Sequence, residues 1–482
     1  MRIRQASKTR EACTLLGCEL PIVLAGMGGV ARSELVSAVS ATGAFGFLGM
    51  VREPPALIEQ EVGRVRDAGH CRFGVNLIPA ATEPDLLARQ LDAVIALEVP
   101  VVELFWQIDT AVVGRLRDAG IVVVYQVGSV QEARTAERAG AQIVIAQGVE
   151  AGGHVRGITP LRDLLPAVVD AVHVPVLAAG GLALGSDLLT ATALGAQGIV
   201  LGTALLATFE SFAHPYHRER LVAADAADTV LTSAFHINWP SDAPVRVLRT
   251  PVVALGEEQA EGRVIGSEEG RPIYLFSTDS PLRSMTGDFA SMALYAGTGV
   301  GEIKSIVSAA DRIETILSEA EEALPAVDTL LAPTSSPVCL AGEFSGDYMG
   351  HADQDEINAA VAALVEELRA IVQLTLRQQE AGPSGDHPPF RPEAAAMAGW
   401  LWLFSENRRP RSSDLPQGGL DIEARRLRAR QILQGLLPRM AESDLRNTLS
   451  ALQVQLTPEF EIIPDSKKSG SNPLNQGSLG TV

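Results

Sequence analysis

The segment 147–154 has the residue types and spacing most suited to chemistry in this 482-residue sequence. It reads Gln-Gly-Val-Glu-Ala-Gly-Gly-His and follows an apolar run that is typical of a buried strand. A histidine has an ordinary pKa of about 6.5, so His154 can accept a proton, donate one or form a hydrogen bond at neutral pH. Gly152 and Gly153 let the chain bring the imidazole close to a ligand. A single histidine is more often structural, but this position predicts His154 as the leading catalytic residue.

Glycine-rich ends of two later apolar runs predict a phosphate site. Gly180 and Gly181 follow one run, and Gly202 with Thr203 follows the next. Glycine lets backbone N–H groups approach a phosphate closely, although a single loop of this kind can simply make a tight turn. The two loops together, after successive runs, favour phosphate binding.

Neutral polar side chains end two further apolar runs. Asn76 and Gln126 could meet the pyrimidine edge of a flavin ring, which needs uncharged donors and acceptors. Each could instead be a satisfied polar residue at a strand end. Met27, in the loop that begins Ala25-Gly26, could lie against a flat ring or only fill a gap.

The elements that must position these residues are eight apolar runs within the first 203 residues. The runs are Pro21–Gly26, Phe45–Met50, Arg72–Ile78, Val101–Trp106, Ile121–Gly128, Ile143–Gly148, Val174–Gly181 and Gly198–Thr203. They are continuously apolar, as parallel strands buried on both faces are, and helix-like segments separate them. The pattern predicts the α/β class and a (β/α)8 TIM barrel, in which ligands bind at the carboxyl ends of the strands. A doubly wound open sheet is the alternative, but eight units of similar length favour closure.

The pattern changes after the eighth run. Residues 209–290 carry aromatic residues, prolines and charges without a clean period, and we interpret them as a lid insertion after strand 8. Residues 301–324 have the pattern of an amphipathic helix that returns to the barrel, so the barrel domain is expected to span 15–330. A mainly helical extension of unknown role is predicted for 331–464, and 465–482 has the composition of a disordered tail.

Charge and cysteine usage exclude several functions. A net charge of −19 argues against general nucleic-acid binding and against adsorption to anionic membranes. The four cysteines are scattered without a CxxC pair, so we expect neither a disulfide framework nor a zinc site. His214 and His217 have no third ligand nearby and are interpreted as surface histidines. A cytoplasmic protein without a metal is expected.

These motifs resemble the nitronate monooxygenase (2-nitropropane dioxygenase) family, which is related to flavin-dependent enoyl-acyl-carrier-protein reductases. The resemblance covers residues 15–325 and is carried by Pro21–Met27, Phe73–Asn76, Gln126–Ser129, Gln147–His154, Ala178–Gly181, Gly198–Ala204 and Tyr295–Gly301. It implies a flavoprotein barrel with FMN that oxidises alkyl nitronates with O2, in which His154 is a base or a nitro-group contact. The implied flavin-binding positions are Ala25, Gly26, Met27, Asn76, Gln126, Gly152, Gly153, Gly180, Gly181, Gly202 and Thr203.

Two departures from the family pattern bear on the site. The family usually has proline where Gly26 stands, which predicts a looser loop beside the ring. The end of the fourth run, Phe105-Trp106-Gln107, lacks a histidine-containing segment of some members, so the substrate contacts are expected to differ.

Two alternatives stay open. An NAD(P)H-dependent enoyl-thioester reductase would need a basic docking patch for an acidic carrier protein. A non-catalytic flavin-binding component of a complex would use the helical extension for assembly. That extension could also carry a homo-oligomer interface or bind a protein partner.

Overall fold

Eight parallel strands close into a barrel in the computed structural model, which describes residues 10–240, 243–255 and 262–323. The barrel strands are β1 (Ile22–Leu24), β2 (Phe45–Gly49), β3 (Gly74–Leu77), β4 (Val101–Phe105), β5 (Val122–Val127), β6 (Ile143–Gln147), β8 (Val176–Ala179) and β9 (Ile199–Leu201), whereas β7 (Gly153–His154) lies outside the barrel. Ile22 of β1 pairs with Ile199 of β9 and closes the ring. The predicted (β/α)8 fold is confirmed, because each barrel strand falls within its predicted run.

Helices alternate with the strands around the barrel. They are α1 (Glu11–Leu16), α2 (Ser33–Ala41), α3 (Pro55–Asp67), α4 (Pro84–Ala96), α5 (Thr110–Asp118), α6 (Val130–Ala139), α7 (Leu161–Ala171), α8 (Gly185–Ala193), α9 (Thr203–Leu206), α10 (Pro215–Val222) and α11 (Ala309–Ala323). Local chemistry sets several of their ends. The Asp109 carboxylate accepts hydrogen bonds from the first free N–H groups of α5, and α6 ends at Gly140 with a φ of 109°.

The interior of the barrel is a packed apolar core. Phe45 and Phe47 of β2 meet edge to face, 5.0 Å between ring centroids, and pack with Ile143 and Ile145 of β6. Leu16 of α1 belongs to the same core, so α1 covers the amino ends of the strands. Because this end is filled, a ligand can enter only at the carboxyl ends.

A cap, the described residues from 209 to 303, covers the carboxyl ends of the strands. One of its sheets contains β10 (Thr229–Thr232), β11 (Val245–Leu248) and the short β7, and the other contains β12 (Val264–Glu268), β13 (Arg271–Tyr274) and β14 (Met285–Gly287). These strands are too short to show a period in the sequence. The cap has its own apolar core, which includes Phe235, Val247 and Leu294.

The returning helix is shorter than its sequence pattern predicted. The expected helix began at residue 301, but the chain forms a 3₁₀ turn at Thr298–Glu302 and α11 starts at Ala309. Gly299 in the preceding 3₁₀ turn lies so close to the Gly181 backbone that a Cβ atom there would overlap it. Glu319 of α11 accepts a hydrogen bond from the Gly185 N–H at 2.8 Å and fastens the helix to α8.

The extension predicted for 331–464 and the tail 465–482 lie outside the described residues. Within the described part of the chain, no helix is both long enough and apolar enough to span a membrane.

Candidate active site

A cavity of about 500 Å³ lies between the carboxyl ends of the barrel strands and the cap. Every residue predicted for the site borders this one cavity: Ala25, Gly26, Met27, Asn76, Gln126, Gly152, Gly153, His154, Gly180, Gly181, Gly202 and Thr203. The structure thus brings the predicted catalytic and cofactor positions together. Their roles stay predictions.

Two backbone interactions hold His154 at the edge of the cavity. Its short strand β7 pairs with β11 of the cap, with His154 opposite Val245. The Gln147 amide donates to the carbonyl oxygen of His154 at 2.9 Å and accepts from the N–H of Arg156 at 3.0 Å. Gln147 is therefore a positioning residue, because both halves of its amide are used to shape the loop that carries His154.

The environment of the His154 ring favours its neutral form and leaves one nitrogen without a hydrogen-bond partner. The pKa of His154 lies well below its ordinary value of 6.5. Burial is the main cause, and the positive charge of Arg52 adds to it. Its Nε2 is buried without a hydrogen-bond partner. A buried polar atom without a partner is costly and points to a ligand at this position.

Three aromatic side chains enclose the His154 ring. Trp239 of the cap stacks on it, with 3.4 Å between centroids and 14° between planes. Trp106, just beyond β4, meets it edge-on at 6.2 Å, and Tyr295 lies at 6.1 Å. Trp106 therefore lies beside His154, in the segment that departs from the family pattern. Its φ of 81° is unusual for a non-glycine residue and marks a strained position.

Arg52 brings a positive charge into the cavity. It follows β2 and has a φ of 59°. Its guanidinium donates to the carbonyl oxygen of Asn238 at 2.9 Å and to the Thr278 hydroxyl at 3.2 Å, which joins the barrel to the cap. Sequence reasoning missed Arg52, although an arginine in a loop after a barrel strand could have been noticed.

Glu103 is a second residue that sequence reasoning missed. It lies on β4 directly opposite Asn76 of β3, borders the cavity and is 2% exposed. Burial raises its pKa to about 7, and hydrogen bonding to Asn76 and to the Gly26 backbone opposes the rise. The available signal was a charged residue inside the apolar run Val101–Trp106.

The space at Gly26 is filled by its neighbours, whereas the looser loop stays a prediction. A Cβ atom at Gly26 would overlap the Cβ of Asn76 and lie 2.8 Å from Oε2 of Glu103. Only a residue without a side chain fits above these two groups.

The glycine loops after β8 and β9 form a recess lined by backbone. Gly180 and Gly181 have φ values of 120° and 71°, which other residues rarely adopt. The Thr203 hydroxyl accepts a hydrogen bond from the Gly297 N–H at 2.9 Å, so the cap closes this end of the cavity. The recess can take an anionic group that binds backbone N–H groups.

His217 is not a surface residue, which corrects the sequence interpretation. Its ring is fully buried between the Tyr295 carbonyl oxygen at 3.1 Å and the Ser280 hydroxyl at 3.2 Å. Burial lowers its pKa to about 4. No cluster of metal-binding side chains occurs among the residues that the structure describes.

Known proteins resemble this chain over the barrel and the cap. The family model for nitronate monooxygenase matches residues 10–319. A probable nitronate monooxygenase of Staphylococcus aureus strain MSSA476 is 32% identical over 264 residues, a match that covers 46% of this chain and 74% of the relative.

Two solved structures agree with this family match. FabK from Thermotoga maritima has a TM-score of 0.57 and 32% identity, and the match covers 66% of this chain and 97% of FabK. Nitroalkane oxidase from Streptomyces ansochromogenes has a TM-score of 0.54 and 32% identity, and the match covers 64% of this chain and 98% of the oxidase. The chain is therefore an oxidoreductase that belongs to the nitronate monooxygenase family.

Proposed function

We propose that this protein is an FMN-dependent monooxygenase that oxidises alkyl nitronates, or related carbanion-like small molecules, with O2. The observation that carries the proposal is the unpartnered Nε2 of His154 in a cavity that Arg52 and aromatic side chains also border. Burial and the Arg52 charge lower the pKa of His154 and favour its neutral form. A neutral imidazole can accept a proton from an acidic carbon, and a nearby cation stabilises the anion that results.

The residues around the cavity fit a flavin. Asn76, Glu103 and Gln126 offer polar groups to the edge of a ring, and Oδ1 of Asn76 and Oε2 of Glu103 are buried without partners. The glycine loops at 180–181 and 202–203 would hold the phosphate. Bound FMN would supply the redox chemistry, because it accepts electrons from an electron-rich carbon and passes them to O2.

The protein's own groups would bind and orient the substrate. Arg52 would attract the nitronate oxygens, and Nε2 of His154 would contact the nitro group or take the proton from a neutral nitroalkane. Trp239 and Trp106 would cover the apolar part of the substrate and exclude water.

An enoyl-thioester reductase is the second candidate, and the similarity to FabK favours it. The charges that border the cavity argue against it, because they include Glu53, Glu268 and Asp279 and give no excess of positive charge for an acidic carrier protein. Arg271, which also borders the cavity, is paired with Glu268 and Asp279.

The test is flavin content followed by two assays. Purified protein should be yellow and release FMN on denaturation, and it should consume O2 with alkyl nitronates. Under anaerobic conditions NADPH should bleach the flavin slowly or not at all. Fast bleaching that an enoyl thioester reverses would establish the reductase instead, and a protein that cannot take up FMN would refute both.

The remaining parts of the proposal follow from the sequence. The scattered cysteines support a location in the reducing cytoplasm, and the proposed partners are the small-molecule substrate and O2. The C-terminal extension would serve for self-association or for a protein partner. Removal of residues 335–482 should leave the flavin spectrum intact if that extension is a separate module.

A further inference from the structure

Glu103 is a buried acid in the cavity wall that the proposed oxidation does not use. Glu103 is 2% exposed, and although its carboxyl group interacts with Asn76 and the Gly26 backbone, its Oε2 makes no well-formed hydrogen bond. The neighbouring Asn76 likewise leaves its Oδ1 buried without a partner. Two neighbouring residues that border one cavity, each with an unsatisfied polar atom, indicate a ligand whose polar edge meets both residues.

No charge compensates Glu103 among the residues that the structure describes. The groups packed against it are the Asn76 amide on β3, the Gly26 backbone above it and Val124 opposite it on β5, and none of these titrates. No charged group contributes to the shift of its pKa, which is caused first by burial. A buried carboxyl group without a cation favours its neutral form.

We propose that Glu103 binds the flavin as a neutral carboxyl group and donates its proton in a hydrogen bond to a carbonyl oxygen of the ring. The inference rests on the proposed flavin cofactor. It assigns Glu103 to cofactor binding and makes the affinity for flavin depend on pH. A neutral carboxyl group is both a donor and an acceptor, so it suits a ring edge where carbonyl oxygens flank an N–H group.

The direction of the pH dependence follows from linkage. The pKa of Glu103 is about 7 without ligand, and a hydrogen bond donated by its neutral form to a flavin carbonyl oxygen would raise that pKa further. Flavin binding above pH 7 must then take up a proton. The affinity should therefore be constant below pH 7 and fall above it, by about tenfold per pH unit.

Gly26 is part of the same arrangement. Its backbone N–H faces Glu103, whereas a proline at this position would have no N–H, and any Cβ would lie 2.8 Å from Oε2 of Glu103. The residue that departs from the family pattern is thus the residue that leaves room for the carboxyl group. We infer that Gly26 and Glu103 act as a pair.

The experiment measures the dissociation constant of FMN for flavin-stripped full-length protein between pH 7 and 9. This range avoids the FMN phosphate, whose second pKa is about 6. The wild type should lose about tenfold in affinity per pH unit, whereas Glu103→Gln, which keeps a donor and an acceptor, should bind with nearly constant affinity. Glu61→Gln, which changes a buried glutamate of α3 outside the cavity, should follow the wild type.

A second measurement needs no variant. Calorimetry of FMN binding at pH 8, in buffers with different ionisation enthalpies, should show net proton uptake by the wild type. Absence of uptake, proton release, or equal pH dependence in wild type and Glu103→Gln would overturn the inference while leaving the flavin proposal intact. Failure of any form to bind FMN would instead refute the proposed function.

Discussion

The imidazole of His154 lies face to face with the indole of Trp239, 3.4 Å between centroids and 14° between planes. His154 follows barrel strand β6 but lies in β7, which pairs with the cap, and Trp239 belongs to the cap. The candidate catalytic residue is therefore held against the cap. The adjoining pairing of β7 with β11 fixes the backbone at the same point. The cap is thus a structural part of the candidate active site.

Trp239→Ala should weaken substrate binding more than turnover. Loss of an aromatic contact of about 0.5–1.5 kcal/mol predicts a rise in KM of about 2- to 12-fold. The KM of Trp239→Phe should lie between those of the wild type and Trp239→Ala. Phe289→Ala is the matched control, because Phe289 packs on His214, which does not border the cavity. Unchanged steady-state KM for Trp239→Ala would remove Trp239 from the substrate site.

His154→Ala should retain bound flavin and lose about 10²- to 10⁴-fold in kcat with a neutral nitroalkane, because a positioned base contributes about that much. With a preformed nitronate the loss should be smaller, since no proton has to be removed. Flavin absorbance and O2 consumption measure both. Full turnover of the variant on the neutral substrate would make His154 structural.

Arg52→Met should shift the acid limb of the pH profile of kcat/KM upwards. The base form of His154 is lost as pH falls through its pKa, which burial and the Arg52 charge hold well below 6.5. Removal of the charge raises that pKa, so activity should start to fall at a higher pH, and KM for a nitronate should rise by about tenfold or more.

Two controls accompany the Arg52 variant. Arg52→Lys keeps the charge and should keep the wild-type acid limb. Arg283→Met removes another arginine between barrel and cap, paired with Glu34 at 3.0 Å, and should leave the pH profile unchanged. A wild-type profile in Arg52→Met would show that the charge does not act on His154.

Gln147→Leu should lower kcat by up to about 10²-fold through misplacement of His154, because both halves of the amide hold that loop. If Gln147 acts only through His154, the same change should cost little in a His154→Ala background. Equal losses in both backgrounds would assign Gln147 a general structural role. The measurement is a double-mutant cycle in kcat with a nitroalkane.

His217 should make the protein less stable in acid. Its folded-state pKa of about 4 lies below its ordinary 6.5, so the unfolded chain binds a proton first as pH falls. The contribution of the neutral His217 to the free energy of unfolding is fully present above pH 6.5. It falls by about 3 kcal/mol as the pH decreases to 4. The unfolding free energy of His217→Gln, measured with denaturant, should depend less on pH over this window; an identical dependence would contradict the assignment.

The barrel and the predicted binding positions could be found in the sequence because they depend on local patterns. Each barrel strand is a short, mainly apolar run, since most side chains of a parallel strand buried on both faces pack against apolar neighbours. The carboxyl ends of such strands meet at one mouth, so residues as distant in sequence as Asn76 and Gly202 were expected together. They border the same cavity.

The interior of the site depends on contacts between distant segments, which no local pattern records. The Arg52 charge acts on His154 from a side chain that is held in place by hydrogen bonds from its guanidinium to Asn238 and Thr278 of the cap. In the sequence, Gly26 is notable only because it replaces the proline that the family usually has. In the fold, its lack of a side chain leaves space for Asn76 and Glu103. Residue types and spacing therefore specified which predicted side chains and glycine loops surround the open end of the barrel. Packing of the cap on the barrel established which are neutral, charged or unsatisfied, because burial and neighbouring charges arise only in the folded chain.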